Sequence, residues 1–168
     1  MDKELAVQSL TDTMAKFTAY IGKRLPKDVK SKLIELKTLE TNPLAKSIYD
    51  SMDENQEAAD RLNRPSCQDT GVIQYFVEAG AHFPLLGELQ EILREATEEA
   101  TRTGPLRHNA VETFDEKNTG TNTGTQIPWL DWRIVPEQDT CTIDVYMAGG
   151  GCTLPGAAKV LMPGQGYE

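Results

Sequence analysis

Apolar residues recur at helical spacing through the first third of the chain. The periodicity predicts three helices with these stripes: Leu10, Met14, Phe17 and Ile21; Val29, Leu33 and Leu36; and Leu44, Ile48, Met52, Ala59 and Leu62. Pro26 separates the first helix from the second, and Asn42 followed by Pro43 supplies an N-cap for the third. We expect the stripes to form core contacts between packed helices, with docking of a partner subunit on one face as the alternative.

The rest of the chain alternates strand patterns with one more helix. Residues 72–77 are β-branched and aromatic and predict a buried strand, and two further strands are predicted at 129–135 and 140–147. The turn at 136–139 favours an antiparallel pair of these two strands. A helix is predicted between them and the first strand, with glutamates outward and these residues inward: Leu86, Leu89, Leu93, Ala96 and Ala100. Residues 103–128 lack periodicity, and a loop of that length is usually either functional or disordered.

These elements predict one α+β domain over residues 1–168, with a helical part at 1–64 packed against a small mixed sheet within 65–168. The chain has 168 residues and three cysteines, an odd number that argues against a secreted disulfide framework. Its start has no apolar leader and no run is long enough to span a membrane, so a cytoplasmic protein is expected.

Charge is distributed unevenly along the chain. Acidic and basic side chains balance over the first 64 residues, so the formal net charge of -9 arises in the remainder. Nucleic-acid binding needs clustered lysine and arginine, which that part lacks. An anionic substrate would therefore be held by one or two placed guanidinium groups and backbone amides.

The most informative segment is Cys67-Gln68-Asp69-Thr70-Gly71, which places a thiol, an amide, a carboxylate and a turn residue in one short loop. It lies between the third predicted helix, which Pro65 ends, and the first strand. Cys67 is either a small buried apolar residue or a metal ligand.

Two other segments have both a functional and a structural interpretation. The glycines Gly149, Gly150 and Gly151 follow a predicted strand and could bring backbone amides close to a ligand, or simply form a turn. Arg107 could bind a carboxylate through its guanidinium fork, or lie on the surface. His82 and His108 lack the paired spacing of a zinc site.

Four segments together carry a family resemblance: residues 64–71, 105–112, 118–124 and 146–156. In this order they resemble the iron-sulfur hydro-lyases, which include the class I fumarases and the L(+)-tartrate dehydratases. Class I fumarases usually have serine after the three glycines, whereas this chain has Cys152, which favours the alpha subunit of the tartrate dehydratase type. The resemblance extends over essentially the whole chain.

The resemblance implies a [4Fe-4S] cluster held by three cysteine thiolates, with the fourth iron open as a Lewis acid. Cys67 matches the first ligand. Gln68 and Asp69 match residues that contact the substrate, and Asp69 is also a candidate for proton delivery to the departing hydroxyl. Arg107 matches an arginine that clamps a substrate carboxylate. The backbone of Gly149, Gly150 and Gly151 is expected beside the substrate.

The same resemblance implies that this chain is incomplete as an enzyme. The other two cluster ligands of the family lie farther along the alpha chain, and neither Cys141 nor Cys152 matches them by motif. Further substrate-binding elements come from a beta subunit, so we expect the N-terminal part of an alpha subunit from an alpha-beta heterotetramer, inactive alone.

The activity that the resemblance implies is dehydration of L-tartrate to oxaloacetate. A class I fumarate hydratase acting on malate and fumarate is one alternative. A non-catalytic remnant or interaction module of the same fold is the other.

Overall fold

The computed structural model describes residues 2–67, 69–104, 106–153, 159–162 and 164. Its helices are α1 Lys3–Ile21, α2 Lys27–Leu39, α3 Pro43–Leu62, α4 Leu89–Thr103 and the single turn α5 Gly150–Thr153. Its strands are β1 Val72–Gly80, β2 Trp129–Val135 and β3 Cys141–Ala148. The expected α+β class is confirmed. No helix in these ranges has both the length and the apolar character needed to cross a bilayer.

The three strands form a mixed sheet in the order β2-β1-β3, with β2 parallel and β3 antiparallel to β1. The expected antiparallel pair of β2 and β3 is therefore wrong. β1 is the most buried strand and pairs on both edges, so the segment between β2 and β3 has to cross its end. There the Gly80 amide donates to Thr140 O at 2.8 Å and the His82 amide to Gln138 O at 2.8 Å. A Cβ at Gly80 would lie 2.1 Å from Gln138 O, so only glycine permits this crossing.

The core lies between one face of the sheet and the helices α1 and α4. Ile73, Tyr75 and Val77 of β1 are at most 2% exposed and pack with Leu89 and Leu93 of α4. Burial of side chains of this size contributes about 1.5–3 kcal/mol each. The core also contains these smaller residues and one methionine: Met14, Ala15, Ala19, Ala96 and Ala100. The predicted inward stripe of α4 is thus confirmed from Leu89 onward.

A polar chain crosses this core. The Tyr75 hydroxyl lies 3.0 Å from Thr18 Oγ1 and 3.0 Å from Thr97 Oγ1. Because Thr97 donates its own proton to Leu93 O at 2.8 Å, its oxygen is left to accept from Tyr75, which in turn accepts from Thr18. Burial raises the pKa of Tyr75. The chain of hydroxyls fixes α1, β1 and α4 relative to one another.

Helices α2 and α3 contradict the expectation of core contacts. No residue of α2 is buried, and Ala59 is the one buried residue of α3. Leu44 is 71% exposed and Ile48 56% exposed, although both belong to the predicted inward stripe. Helical periodicity indicates that one face of a helix is apolar, but it does not indicate which part of the protein packs on that face.

Candidate functional site

The loop that carries Cys67 is anchored on both sides by helix ends. Asn63 adopts a left-handed conformation with φ 49° and terminates α3. The Ser66 amide then donates to Gly22 O at 3.0 Å, and Asn55 Nδ2 donates to Ser66 O at 2.7 Å. Cys67 follows immediately and is exposed with a free thiol. This excludes its interpretation as a buried apolar residue and leaves the thiol accessible to a ligand.

Asp69 joins three of the sequence motifs. Its Oδ1 accepts a hydrogen bond from Asn109 Nδ2 at 2.6 Å, and its Oδ2 accepts one from the Gly151 amide at 3.2 Å. Its own amide lies 3.5 Å from Cys67 Sγ and donates to it. The carboxylate is therefore held in place from both sides, by one side-chain amide and one backbone amide.

Thr70 and Gly71, which follow Asp69, fix the loop against the sheet and against the segment after α4. Thr70 is buried, and its Oγ1 accepts a hydrogen bond from the Arg107 amide at 2.9 Å. Gly71 has φ +78°, and a Cβ there would lie 2.1 Å from Ala148 O at the end of β3. The turn predicted from this glycine thus depends on both its backbone conformation and its missing side chain.

Asn122 organises the site from beneath, a role that its place in the segment 118–124 does not indicate. It is 2% exposed and has φ 57°. Its Oδ1 accepts from the Asn109 amide at 2.7 Å, while its Nδ2 donates to Arg107 O at 2.8 Å and to Thr101 Oγ1 at 3.1 Å. Asparagine tolerates the left-handed region better than other residues, and an asparagine between threonines in a long loop is a weak signal of such a position.

Arg107 places its side chain at an open cavity of about 1450 Å³ whose wall also includes Cys67, His108 and Asn109. The guanidinium is exposed, and it has no ion-pair partner among the residues that the structure describes. Arg102, which lies on α4, also lines this cavity, but its guanidinium is paired with Glu99 at 2.6 Å. Arg107 is thus a cation available to an anionic ligand.

Comparison with known proteins shows the family of this chain. Residues 11–168 match the model of the fumarate hydratase (Fumerase) family. The chain belongs to that family. It is 59% identical over 167 residues to the L(+)-tartrate dehydratase subunit alpha of Escherichia coli (strain K12), and equally to that of Shigella boydii serotype 4. These residues are 99% of this chain and 55% of each relative. A relative from Methanocaldococcus jannaschii is 31% identical over 151 residues, 86% of this chain and 52% of that protein. The chain thus spans about half the length of the curated relatives it matches.

Within this member of the fumarate hydratase family, the predicted site residues are only partly brought together. A hydrogen bond joins Cys67 to Asp69, and the Gly151 amide binds Asp69 as well. Arg107 is tied to this loop only through its backbone amide, which binds the neighbouring Thr70. Gly149 approaches Asp69 Oδ2, since a Cβ there would lie 3.6 Å from that oxygen. Gln68 lies outside the described residues. Gly149 precedes α5, and Gly150 and Gly151 are its first two residues, so this segment forms one helical turn and also supplies the Gly151 amide to Asp69.

The described residues contain no group of three or more histidine, cysteine, aspartate or glutamate side chains able to hold a metal ion. Cys141 lies on β3 and packs partly buried against the core, and burial raises the pKa of its thiol. A buried thiol with a raised pKa is a poor ligand compared with an exposed one. Of the two thiols whose side chains the structure describes, Cys67 and Cys141, only Cys67 lies in the candidate site; the side chain of Cys152 is outside the described part.

Proposed function

We propose that this chain is part of the alpha subunit of a hydro-lyase that eliminates water from a hydroxy-dicarboxylate, converting L-tartrate to oxaloacetate. The identity of 59% to proteins named L(+)-tartrate dehydratase subunit alpha supports this substrate. The structural observation that carries the proposal is the Asp69 carboxylate, held by Asn109 and Gly151 beside the exposed thiol of Cys67.

Each site residue has a role in this proposal. Arg107 binds one substrate carboxylate through two parallel hydrogen bonds from its guanidinium. Asp69 holds a proton and delivers it to the departing hydroxyl as the C–O bond breaks, while a base of the beta subunit takes the proton from the neighbouring carbon. The two hydrogen bonds of Asp69 keep its carboxyl group oriented for that transfer. Gln68 contacts the substrate beside it. The backbone of Gly149, Gly150 and Gly151 lines the substrate on the other side of Asp69.

The cofactor in this proposal is a [4Fe-4S] cluster, with Cys67 as one of three cysteine ligands. When bound, such a cluster supplies a Lewis acid for the substrate hydroxyl. The exposed thiol fits a ligand, but a cluster needs three thiolates, and Cys67 supplies one among the side chains that the structure describes at this site. These residues do not hold the group by themselves, and the remaining ligands come from outside them. Anaerobic reconstitution of the chain should therefore leave no stoichiometric iron and sulfide; a persistent four-iron cluster would contradict this assignment.

The partner in this proposal is a beta subunit, in a cytoplasmic alpha-beta heterotetramer. The support is the word alpha in the names of the relatives, which implies a second kind of subunit. The cavity beside Arg107 is open, so the partner could supply the groups that enclose a dicarboxylate there.

A chimera tests the substrate. This chain replaces the matched 167 residues of the E. coli alpha subunit, which is expressed with its partner and assayed without oxygen on L-tartrate and on malate. We expect oxaloacetate from tartrate at a rate at least 100-fold above that with malate. Turnover of malate without tartrate would assign the site to a fumarate hydratase instead. A complex with a full iron content and neither activity would indicate a non-catalytic module.

A further inference from the structure

The cavity beside Cys67 has a second arginine without a carboxylate partner. Arg64 lines the same wall as Arg107, and both residues are exposed. Within the described ranges neither of them forms an ion pair, whereas four other arginines do: Arg24, Arg94, Arg102 and Arg133. Carboxylates are abundant in a chain whose formal net charge is -9, so two arginines left without one are available to a different anion.

The backbone on both sides of Arg64 is fixed. Its amide donates to Ala59 O at 3.0 Å, in the cap that the left-handed Asn63 forms at the end of α3. Two residues later, the amide and the carbonyl of Ser66 are both hydrogen-bonded. Cys67 comes three residues after Arg64, so their Cα atoms lie at most about 11 Å apart. The Arg64 side chain therefore starts from a fixed point close to the candidate site.

The acidic side chains of the cavity restrict where an anion can lie. Glu95, Glu98 and Glu99 line the part of the wall that α4 forms. Carboxylates repel an anionic ligand from that part, although Glu98 and Glu99 are partly neutralised by arginines of the same helix. The wall segments 64–67 and 106–109 contain the two unpaired guanidinium groups and no carboxylate. An anion is thus favoured between these two segments.

We infer that Arg64 and Arg107 bind the two carboxylates of the substrate, one each, so that Arg64 selects a dicarboxylate over a monocarboxylate. This inference rests on the proposed function, because it assigns a second substrate-binding residue to the same site. Arg107 is close in sequence to Asn109, which holds Asp69, so Arg107 takes the carboxylate nearer to the departing hydroxyl. Arg64 takes the remote carboxylate, and its contact is the same before and during the reaction. Loss of such a contact raises KM and leaves kcat unchanged.

Calorimetric titration of the chimeric complex without oxygen tests this inference independently of turnover. The probes are succinate, a dicarboxylate with no hydroxyl to eliminate, and butyrate, a monocarboxylate of the same chain length. Arg64→Gln should weaken succinate binding by about 10-fold or more, the usual effect of losing a charge-assisted hydrogen bond, and should leave butyrate binding within about twofold. Arg64→Lys keeps the charge but not the guanidinium fork, so its affinity for succinate should lie between the two.

The matched control is Arg61→Gln. Arg61 is exposed, lies in the last turn of α3, has no ion-pair partner within the described ranges and is not part of the cavity wall. This control should keep the affinity for succinate within about twofold of the wild type. With tartrate as substrate, Arg64→Gln should raise KM by about 10-fold or more with kcat within about threefold, while the control changes neither constant.

The outcomes separate this inference from the proposed function. Equal succinate affinity in the Arg64→Gln and Arg61→Gln complexes overturns the inference, even where the complex dehydrates tartrate and the proposed function holds. A complex that dehydrates malate but not tartrate, and still loses succinate in Arg64→Gln, supports the inference and rejects the proposed substrate. A lower iron content or melting temperature in Arg64→Gln with unchanged succinate binding makes Arg64 a structural contact of the complex and overturns the inference.

Discussion

Replacing Asn122 should loosen the whole candidate site, because this buried side chain holds the segment that presents Arg107 and Asn109. Asn122→Ala removes three hydrogen bonds, at about 1 kcal/mol each. The φ of 57° adds a cost of roughly 1 kcal/mol for alanine in the left-handed region. The free energy of unfolding should fall by about 4 kcal/mol in total, the sum of these terms.

Urea denaturation followed by tryptophan fluorescence measures this change, with Asn118→Ala as the matched control. Asn118 lies in the same loop, donates to His108 O at 2.6 Å and accepts from the Gly120 amide at 2.8 Å, but it is exposed, so the loss of both bonds should cost only about 1 kcal/mol. Hydrogen exchange adds a local readout, since the Asn109 amide should lose protection only in the Asn122 variant. If the two variants unfold at the same urea concentration and that amide stays protected, Asn122 does not hold the site.

Three further predictions concern the core, the turn and the thiols. Tyr75→Phe breaks the buried chain of hydroxyls and should lower the free energy of unfolding by about 1–2 kcal/mol in urea titrations. Because burial raises the pKa of Tyr75, the unfolded chain loses this proton first, so wild-type stability should fall as pH rises above about 10, and less so in the variant. Gly71→Ala places a methyl against Ala148 O and should cost about 3 kcal/mol or more, seen as a lower thermal midpoint or loss of soluble protein. Iodoacetamide should label Cys67 at least 10-fold faster than Cys141 in peptide mass mapping.

Each of these three predictions has a contradicting outcome. A Tyr75→Phe chain with unchanged stability at neutral pH would mean that the hydroxyl chain contributes nothing. A Gly71→Ala chain with wild-type stability would show that the loop can move away from β3. Equal labelling of Cys67 and Cys141 in the folded chain would place both thiols in similar surroundings.

Local sequence patterns predict the helices and strands of this fold well, but they do not predict which elements pack against one another. The apolar run in β1 and the spacing of Leu89 and Leu93 in α4 identify a strand and a helix, because burial on one face imposes those periods. The strand order was missed, since a turn between β2 and β3 favours a hairpin whereas β1 gains partners on both edges by lying between them. The exposure of α2 and α3 could not be predicted either, because an apolar stripe looks the same against a core or a partner.

In the candidate site too, local features are predictable from the sequence, whereas contacts between distant parts of the chain are not. Cys67 and Asp69 were identified because a thiol and a carboxylate in one loop are unusual and match a known family. The role of Asn122 depends on a left-handed backbone, of which an asparagine between threonines is only a weak signal, and on burial, which the composition of the loop does not indicate. The hydrogen bond from Gly151 to Asp69 joins residues 82 positions apart, and no local sequence pattern predicts such a contact.

We propose that Asp69 delivers a proton in a hydro-lyase site, and the rate of tartrate dehydration by the chimera tests this role most directly. Asp69→Asn keeps the shape of the side chain but cannot transfer the proton, so the rate should fall by about 100-fold to 10,000-fold with unchanged iron content. The control Asp115→Asn changes an exposed carboxylate of the long loop and should leave the rate within twofold. An Asp69→Asn chimera that keeps its iron and dehydrates tartrate at the rate of the control would contradict the account.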